Sequence, residues 1–256
     1  MTTQSHHDHV EKQFSSQASE YLTSTVHASG RDLQRLAVRL ADYPDASVLD
    51  MGCGAGHASF VAAQNVSTVV AYDLSAHMLD VVAQAAEARQ LKNITTRQGY
   101  VESLPFADNA FDIVISRYSA HHWHDVGAAL REVNRILKPG GLLIVMDVMS
   151  PGHPVRDIWL QTVEALRDTS HTRNYASGEW LTLISEANLI VDNLITDKLP
   201  LEFSSWVARM RTPEALVDAI RIYQQSASTE VKTYFALQND GSFTSDIIML
   251  EAHKAA

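Results

Sequence analysis

The chain has 256 residues, enough for one large α/β domain with a smaller cap, and its 46% hydrophobic and 20% charged composition excludes wholesale disorder. Its 30 acidic and 20 basic residues give a formal net charge of -10, which repels a polyphosphate backbone, so a small-molecule substrate is expected rather than DNA or RNA. The single cysteine, Cys53, excludes an internal disulfide, no run approaches the roughly 18 apolar residues of a membrane-spanning helix, and the absence of an apolar signal region after Met1 points to a cytoplasmic location.

In chain order, Val10, Phe14, Ala18 and Tyr21 share one helical face and Leu33, Leu36, Ala37 and Leu40 another, a spacing that suits packing on a sheet or a lid over it. From Ser47 to Val148, short apolar runs alternate with segments of helical period, which is the pattern of a parallel α/β sheet. The runs at 47–50, 68–73, 94–97, 111–116 and 142–147 read as strands covered on both faces. Ser75 is placed to cap a helix whose buried stripe is Met78, Val81, Val82 and Ala85. A second stripe, Val126, Leu130, Val133 and Leu137, is stopped by Lys138-Pro139-Gly140-Gly141. Beyond Pro151, helices are expected around 155–166 and 180–187. Strands then follow at 189–199 and 244–252, separated by a mostly helical insert with Trp206, Arg209, Tyr223 and Tyr234.

The first strand runs into Asp50-Met51-Gly52-Cys53-Gly54-Ala55-Gly56. Three glycines in a loop that opens a helix suggest close approach of a ligand to the backbone, at the carboxyl ends of the strands where open α/β sheets bind ligands. A dinucleotide fingerprint would need a third glycine at position 57, where His57 stands, and a P-loop would need a Gly-Lys-Ser/Thr ending. Asp50 would repel a pyrophosphate but suits S-adenosylmethionine (SAM), which carries an ammonium group and no phosphate. Asp73 ends the second strand about 20 residues past the first loop glycine, where a carboxylate can accept from ribose hydroxyls. Taken singly, Asp50 and Asp73 would serve equally as caps of the helices that follow.

The motifs Val48-Leu49-Asp50-Met51-Gly52-Cys53-Gly54-Ala55-Gly56, Tyr72-Asp73-Leu74-Ser75, Glu102-Ser103-Leu104-Pro105-Phe106, Phe111-Asp112-Ile113-Val114 and Arg135-Ile136-Leu137-Lys138-Pro139-Gly140-Gly141 resemble, in this order, those of the class I SAM-dependent methyltransferases, particularly the UbiE-like group. The resemblance runs from about Val48 to Val148. It implies a Rossmann-like α/β sheet of seven strands with the last, 244–252, antiparallel. It also implies an N-terminal helical lid over 1–44, a SAM-binding core over 45–150, and a C-terminal helical cap with the last two strands over 151–256. By the same resemblance Asp50, Gly52, Gly54 and Gly56 would hold the methionine end of SAM and Asp73 the ribose. Leu74, Met78, Tyr100, Val101 and Glu102 would surround the nucleoside, and Ser116 and Arg117 would place backbone groups near the methionine portion. Tyr100 departs from the family, which commonly has an aspartate there for the adenine amino group. The quinone-methylating members carry Gly-Leu-Arg-Asn after the fourth strand, whereas this chain reads Tyr118-Ser119-Ala120-His121-His122-Trp123-His124, which argues against a quinone precursor.

A sulfonium methyl group is already electrophilic, so the protein has chiefly to align an acceptor and, for a weakly acidic one, to take its proton, leaving S-adenosylhomocysteine as product. His121 and His122 are the candidate bases, set against a purely structural role in the turn. No metal site is expected from them, because this transfer needs no Lewis acid. His6-His7-Asp8-His9 reads as a tail. Trp180, Trp206, Arg173, Tyr175 and Arg209 fall in the cap, where aromatic residues pack and arginines are solvated. Two other readings of the chain are a SAM-binding sensor or delivery module without turnover, and a nicotinamide-dependent oxidoreductase, which the misplaced third glycine opposes.

Overall fold

In the computed structural model, which describes residues 5–15 and 30–256, the five early apolar runs are strands β1 (Ser47–Met51), β2 (Thr68–Asp73), β3 (Ile94–Gln98), β4 (Phe111–Arg117) and β5 (Leu137–Met149). The late pair are β6 (Leu189–Leu201) and β7 (Phe243–Lys254), and the order across the sheet is β3-β2-β1-β4-β5-β7-β6. β1 to β5 pair in parallel, and β7 runs antiparallel to both β5 and β6, as the family resemblance implies. The order reverses between β1 and β4, which lie side by side with Asp50 opposite Ile115, so their carboxyl ends open a crevice.

Both faces of the central strands are buried, which is why these strands read as continuous apolar runs. Val48, Ile113, Ile115 and Ile144 meet α2 (Arg31–Leu40), through Leu33, Leu36 and Leu40, and α3 (His57–Ala63). Leu49, Met51, Val114 and Val145 face the opposite way, onto α5 (Val126–Ile136) and α7 (Ser177–Glu186). On the α3 side of the sheet, sharing an apolar cluster with Phe60 of α3 and Ala71 of β2, α4 (Ala76–Ala88) begins where the Ser75 hydroxyl accepts from the Met78 amide at 3.3 Å; Met78, Val82 and Ala85 of its stripe are buried and Val81 is half-buried.

β5 begins earlier than its apolar run. Leu137 pairs with Phe111 and Leu142 with Ile113, so the segment between them bulges, with Gly140 at φ +74° and the Lys138 ammonium 2.8 Å from both oxygens of Asp112. The last residue of the helical stripe is therefore the first of the strand.

The insert has its own apolar core. α6 (Pro154–Arg167) contributes Trp159 and Val163, α8 (Phe203–Arg209) contributes Phe203 and Trp206, α9 (Glu214–Gln225) contributes Ile220, and α10 (Thr229–Tyr234) contributes Val231. These close on Leu201 and Phe243 at the ends of β6 and β7, with the Trp159 and Phe235 rings 4.4 Å apart. Trp180 and Trp206 are packing residues, fully buried in separate clusters.

The histidine-rich N-terminus is no tail. It forms α1 (His6–Ser15), docked over the crevice by His6 Nε2 to the His122 carbonyl at 2.8 Å, His7 Nε2 to Glu102 at 3.2 Å and His9 Nε2 to the Thr169 hydroxyl at 2.9 Å. Ala18 and Tyr21, expected on the same face as Val10 and Phe14, lie outside the described residues.

Candidate functional site

The crevice is a cavity of about 990 Å³ whose walls come from the β1 loop, the end of β2, the 99–102 turn, the end of β4 and α1. The three loop glycines all have positive φ, at +71°, +50° and +86°, but they do different work. Gly52 donates its amide to the Tyr72 carbonyl at 2.8 Å, and a side chain there would collide with the Ser119 hydroxyl. Gly56 begins α3 and packs on α4, where a Cβ would come within 2.9 Å of Val82 and 3.0 Å of Phe60. Gly54 alone faces open space, with nothing within 4 Å of where a Cβ would stand. Gly56 is not among the cavity-lining residues, although Ala55 and His57 on either side are, and packing against Val82 and Phe60 accounts for its lack of a side chain.

Asp50 is fully buried under this loop. Its Oδ2 accepts from Ser59 Oγ at 2.5 Å, and its Oδ1 has no hydrogen-bond partner among the described residues. Burial raises its pKa to about 7, with Ser59 opposing and the neighbouring Asp73 adding to the rise. Asp73 takes the Gly54 amide on Oδ2 at 2.8 Å and the Ser75 amide on Oδ1 at 2.9 Å. Burial raises its pKa against the pull of those two amides. Each oxygen keeps a second lone pair, so Asp73 both shapes the loop and remains able to accept from a diol.

Leu74, Met78, Tyr100, Val101 and Glu102 line the same cavity. The Tyr72 hydroxyl donates to the Tyr100 carbonyl at 3.0 Å and fixes that turn, while the Tyr100 ring lies 4.6 Å from that of His7. Ser116 is buried and is not among the residues that line the cavity, beside Arg117, which is. Arg117 lines the cavity, but its side chain is committed to a buried ion pair with Asp32 that ties α2 to the end of β4. That pair was invisible in the sequence, as were His7, Val10, Glu11 and Phe14 of α1 as wall residues. Val10 and Phe14 share a legible helical face, yet periodicity does not say what the face covers.

The cavity walls carry Glu11, Asp50, Asp73 and Glu102 against Arg117, which Asp32 already neutralises. An acidic, partly apolar crevice with an open cradle at Gly54 suits a cationic nucleoside and repels a pyrophosphate. The residues present therefore fit SAM.

His121 and His122, adjacent in a short 3-10 turn, face different spaces. His122 lines the large cavity, with Nδ1 3.2 Å from the Ser170 carbonyl. Burial and the adjacent His121 lower its pKa to about 4. His121 instead lines a second cavity, with Nδ1 2.5 Å from Oδ1 of the buried Asp147. Burial alone would lower the His121 pKa, but the Asp147 carboxylate more than offsets this and raises it. Among the described residues, Tyr118 lines both cavities, a non-glycine held at φ +49°. Of the cap residues, Arg209 lines the second cavity, whereas Arg173 is ion-paired with Asp157 and Glu179.

Residues 49–145 match the Methyltransferase domain family. The chain is 92% identical over 205 residues to the uncharacterized protein YafE of Escherichia coli (strain K12), covering 80% of this chain and 99% of that protein. It is 34% identical over 227 residues to the uncharacterized methyltransferase YcgJ of Bacillus subtilis, covering 89% and 90%. The YcgJ crystal structure superposes with a TM-score of 0.84 over 88% of this chain and 99% of that one. A demethylmenaquinone methyltransferase of Lactococcus lactis is 30% identical over 169 residues, 63% of this chain and 66% of the relative.

Proposed function

The chain belongs to the class I SAM-dependent methyltransferases, and from that membership we propose that it methylates a small-molecule acceptor held beside the crevice. When bound, SAM supplies an electrophilic methyl group and leaves as S-adenosylhomocysteine. Asp50 and the Gly52–Gly54 backbone would hold its amino-acid end, Asp73 its ribose hydroxyls, and Leu74, Met78, Tyr100 and Val101 its adenine, with Glu102 at the rim and α1 over the top. The observation that carries this reading is the pairing of Gly54, whose missing side chain leaves open space, with Oδ1 of Asp50 beneath the same loop, which has no hydrogen-bond partner among the described residues.

The chain's own contribution to chemistry is orientation, exclusion of water and proton uptake. His121, oriented by Asp147 through Nδ1, presents Nε2 as a base, an arrangement that activates nucleophiles in many enzymes. His122, neutral at physiological pH, contributes shape and a dipole to the cofactor side. A small acceptor is favoured over nucleic acid by the net charge of -10 and by the acidic crevice. The lactococcal relative acts, by its name, on demethylmenaquinone, a small molecule, but the His121-His122 segment differs from the run that quinone-methylating members carry.

The test is titration calorimetry with SAM, S-adenosylhomocysteine and NAD, followed by incubation of the protein with methyl-labelled SAM and whole-cell extract containing metabolites, protein and RNA. Heats with the first two alone and label in a low-mass product are expected. Label only in protein or RNA would refute a small acceptor.

A further inference from the structure

Ser119 stands immediately before the 3-10 turn Ala120–His122, a position from which a serine side chain can cap the turn, yet it makes no cap bond. Its Oγ instead accepts from the Trp123 indole Nε1 at 2.9 Å. An indole N–H can only donate, so the serine oxygen is the acceptor in that bond and its own hydrogen is left to point elsewhere. Among the described residues that hydrogen has no acceptor. The anchor is firm, because Trp123 is buried in the apolar cluster of Leu49, Met51 and Val145.

Both residues line the crevice, and they do so against the β1 loop. A Cβ on Gly52 would fall 2.8 Å from Ser119 Cβ and 3.5 Å from Trp123 Nε1, so the bare Cα of Gly52 is what lets the hydroxyl lie on the loop, two residues after Asp50. This is the end of the crevice given above to the amino-acid portion of SAM.

That portion carries two charges with unequal prospects. The ammonium meets an acidic wall of Glu11, Asp50, Asp73 and Glu102, but the carboxylate needs donors, and the guanidinium of Arg117 is ion-paired with Asp32. The loop amides are committed within the protein: Gly52 and Cys53 donate to the Tyr72 carbonyl at 2.8 and 3.0 Å, and Gly54 donates to Asp73 at 2.8 Å. Desolvating a carboxylate without a donor is costly, whereas an O–H donor to a carboxylate makes a short bond roughly twice as strong as a neutral pair.

We propose that the Ser119 hydroxyl binds the carboxylate of SAM, and that Trp123 is the positioning residue that holds the oxygen and leaves its hydrogen for the ligand. The pair thereby makes the site specific for the methyl donor with its carboxylate intact. This assignment rests on the methyl-transfer reading, whose cofactor it concerns.

The experiment measures the affinity of wild-type protein and of Ser119→Ala for SAM and for decarboxylated SAM by calorimetry, with displacement of S-adenosylhomocysteine where binding is weak. Ser119→Ala is expected to weaken SAM by at least about tenfold while leaving decarboxylated SAM within about twofold of wild type. Trp123→Phe, which keeps a ring and removes the N–H, is expected to lower the ratio of SAM to decarboxylated SAM affinity in the same direction. Equal losses for the two ligands, or no loss for SAM, in a folded Ser119→Ala protein overturns the proposal, and an unchanged ratio in a folded Trp123→Phe protein overturns the role of Trp123. If Ser119→Ala fails to fold, a wild-type crystal soaked with S-adenosylhomocysteine decides the matter: its carboxylate is expected on Ser119 Oγ, and a carboxylate bonded elsewhere overturns the proposal equally. Failure of SAM itself to bind the wild-type protein would instead strike at the methyl-transfer reading.

Discussion

The amide of Gly54 donates to Oδ2 of Asp73 across 2.8 Å, joining the floor of the β1 loop to the end of β2. One carboxylate thereby sets the shape of the cradle and faces what lies in it, so binding and local order are coupled at this residue.

Asp73→Ala removes the acceptor for both the Gly54 and Ser75 amides and for the ribose. SAM affinity is expected to fall by about 100-fold or more, because hydrogen bonds to a charged group contribute about 1.5–3 kcal/mol each. Calorimetry measures this, and a Kd within a few-fold of wild type would contradict the assignment. Some loss in Tm accompanies it, since two loop amides lose their partner.

Gly54→Ala and Gly56→Ala separate ligand approach from packing. Both force alanine into left-handed backbone, which costs about 1 kcal/mol. Gly54→Ala is expected to stop there, shifting Tm by a few degrees while losing SAM binding, because its Cβ enters the open cradle. Gly56→Ala adds overlap with Val82 and Phe60 and is expected to cost about 1–3 kcal/mol more in stability. Thermal melts and SAM titration of both variants give the comparison, and equal stability losses would disprove the division of roles.

Asp50 should make SAM binding release protons. In the free protein its pKa is about 7, against 3.8 for an ordinary carboxyl, so near pH 6 it is mostly protonated, and pairing with the SAM ammonium drives the proton off. Calorimetry at pH 6 in buffers of different ionisation enthalpy should show release approaching one proton, absent in Asp50→Asn. The raised folded pKa also means that the contribution of Asp50 to stability is present at low pH and is lost as pH rises from 3.8 through about 7. Asp50→Asn should flatten that descent relative to wild type.

Asp147→Asn tests the orientation of His121. The charge that raises the His121 pKa disappears, so its imidazole NMR titration should move to lower pH and the acid limb of the rate profile should move with it. Turnover is expected to drop about 100-fold with SAM affinity unchanged, as for His121→Ala, since general bases contribute about 10²–10⁴. His122→Ala, on the cofactor side, should weaken SAM binding more than it lowers turnover at saturation. An unmoved His121 titration in Asp147→Asn would exclude the dyad.

The strands β1, β2, β4 and β5 were legible because each is an apolar run in a part of the sheet covered on both faces, and the α4 cap because Ser75 precedes a clean stripe; β3, expected to be covered on both faces, is instead an edge strand whose Thr95 to Gln98 are exposed. The bulge at Lys138–Gly141 was read only as a helix stop, since proline and glycine end a helix without saying that the strand has already begun at Leu137. His121 and His122 looked alike as neighbours in one segment. Their backbone turn sends one to Asp147 and the other to the cofactor wall, a difference of direction that spacing does not encode.

By itself the sequence determined the sheet, the glycine loop, the acidic residues at the ends of β1 and β2 and the family they mark, because these depend on local periodicity and on motifs contiguous along the chain. Only the tertiary structure decided which glycine faces a ligand, that α1 roofs the crevice, that Asp32 holds Arg117, and that a second cavity lies behind Tyr118. These are contacts between residues far apart in sequence, and packing fixes them through shape and burial that no short pattern records.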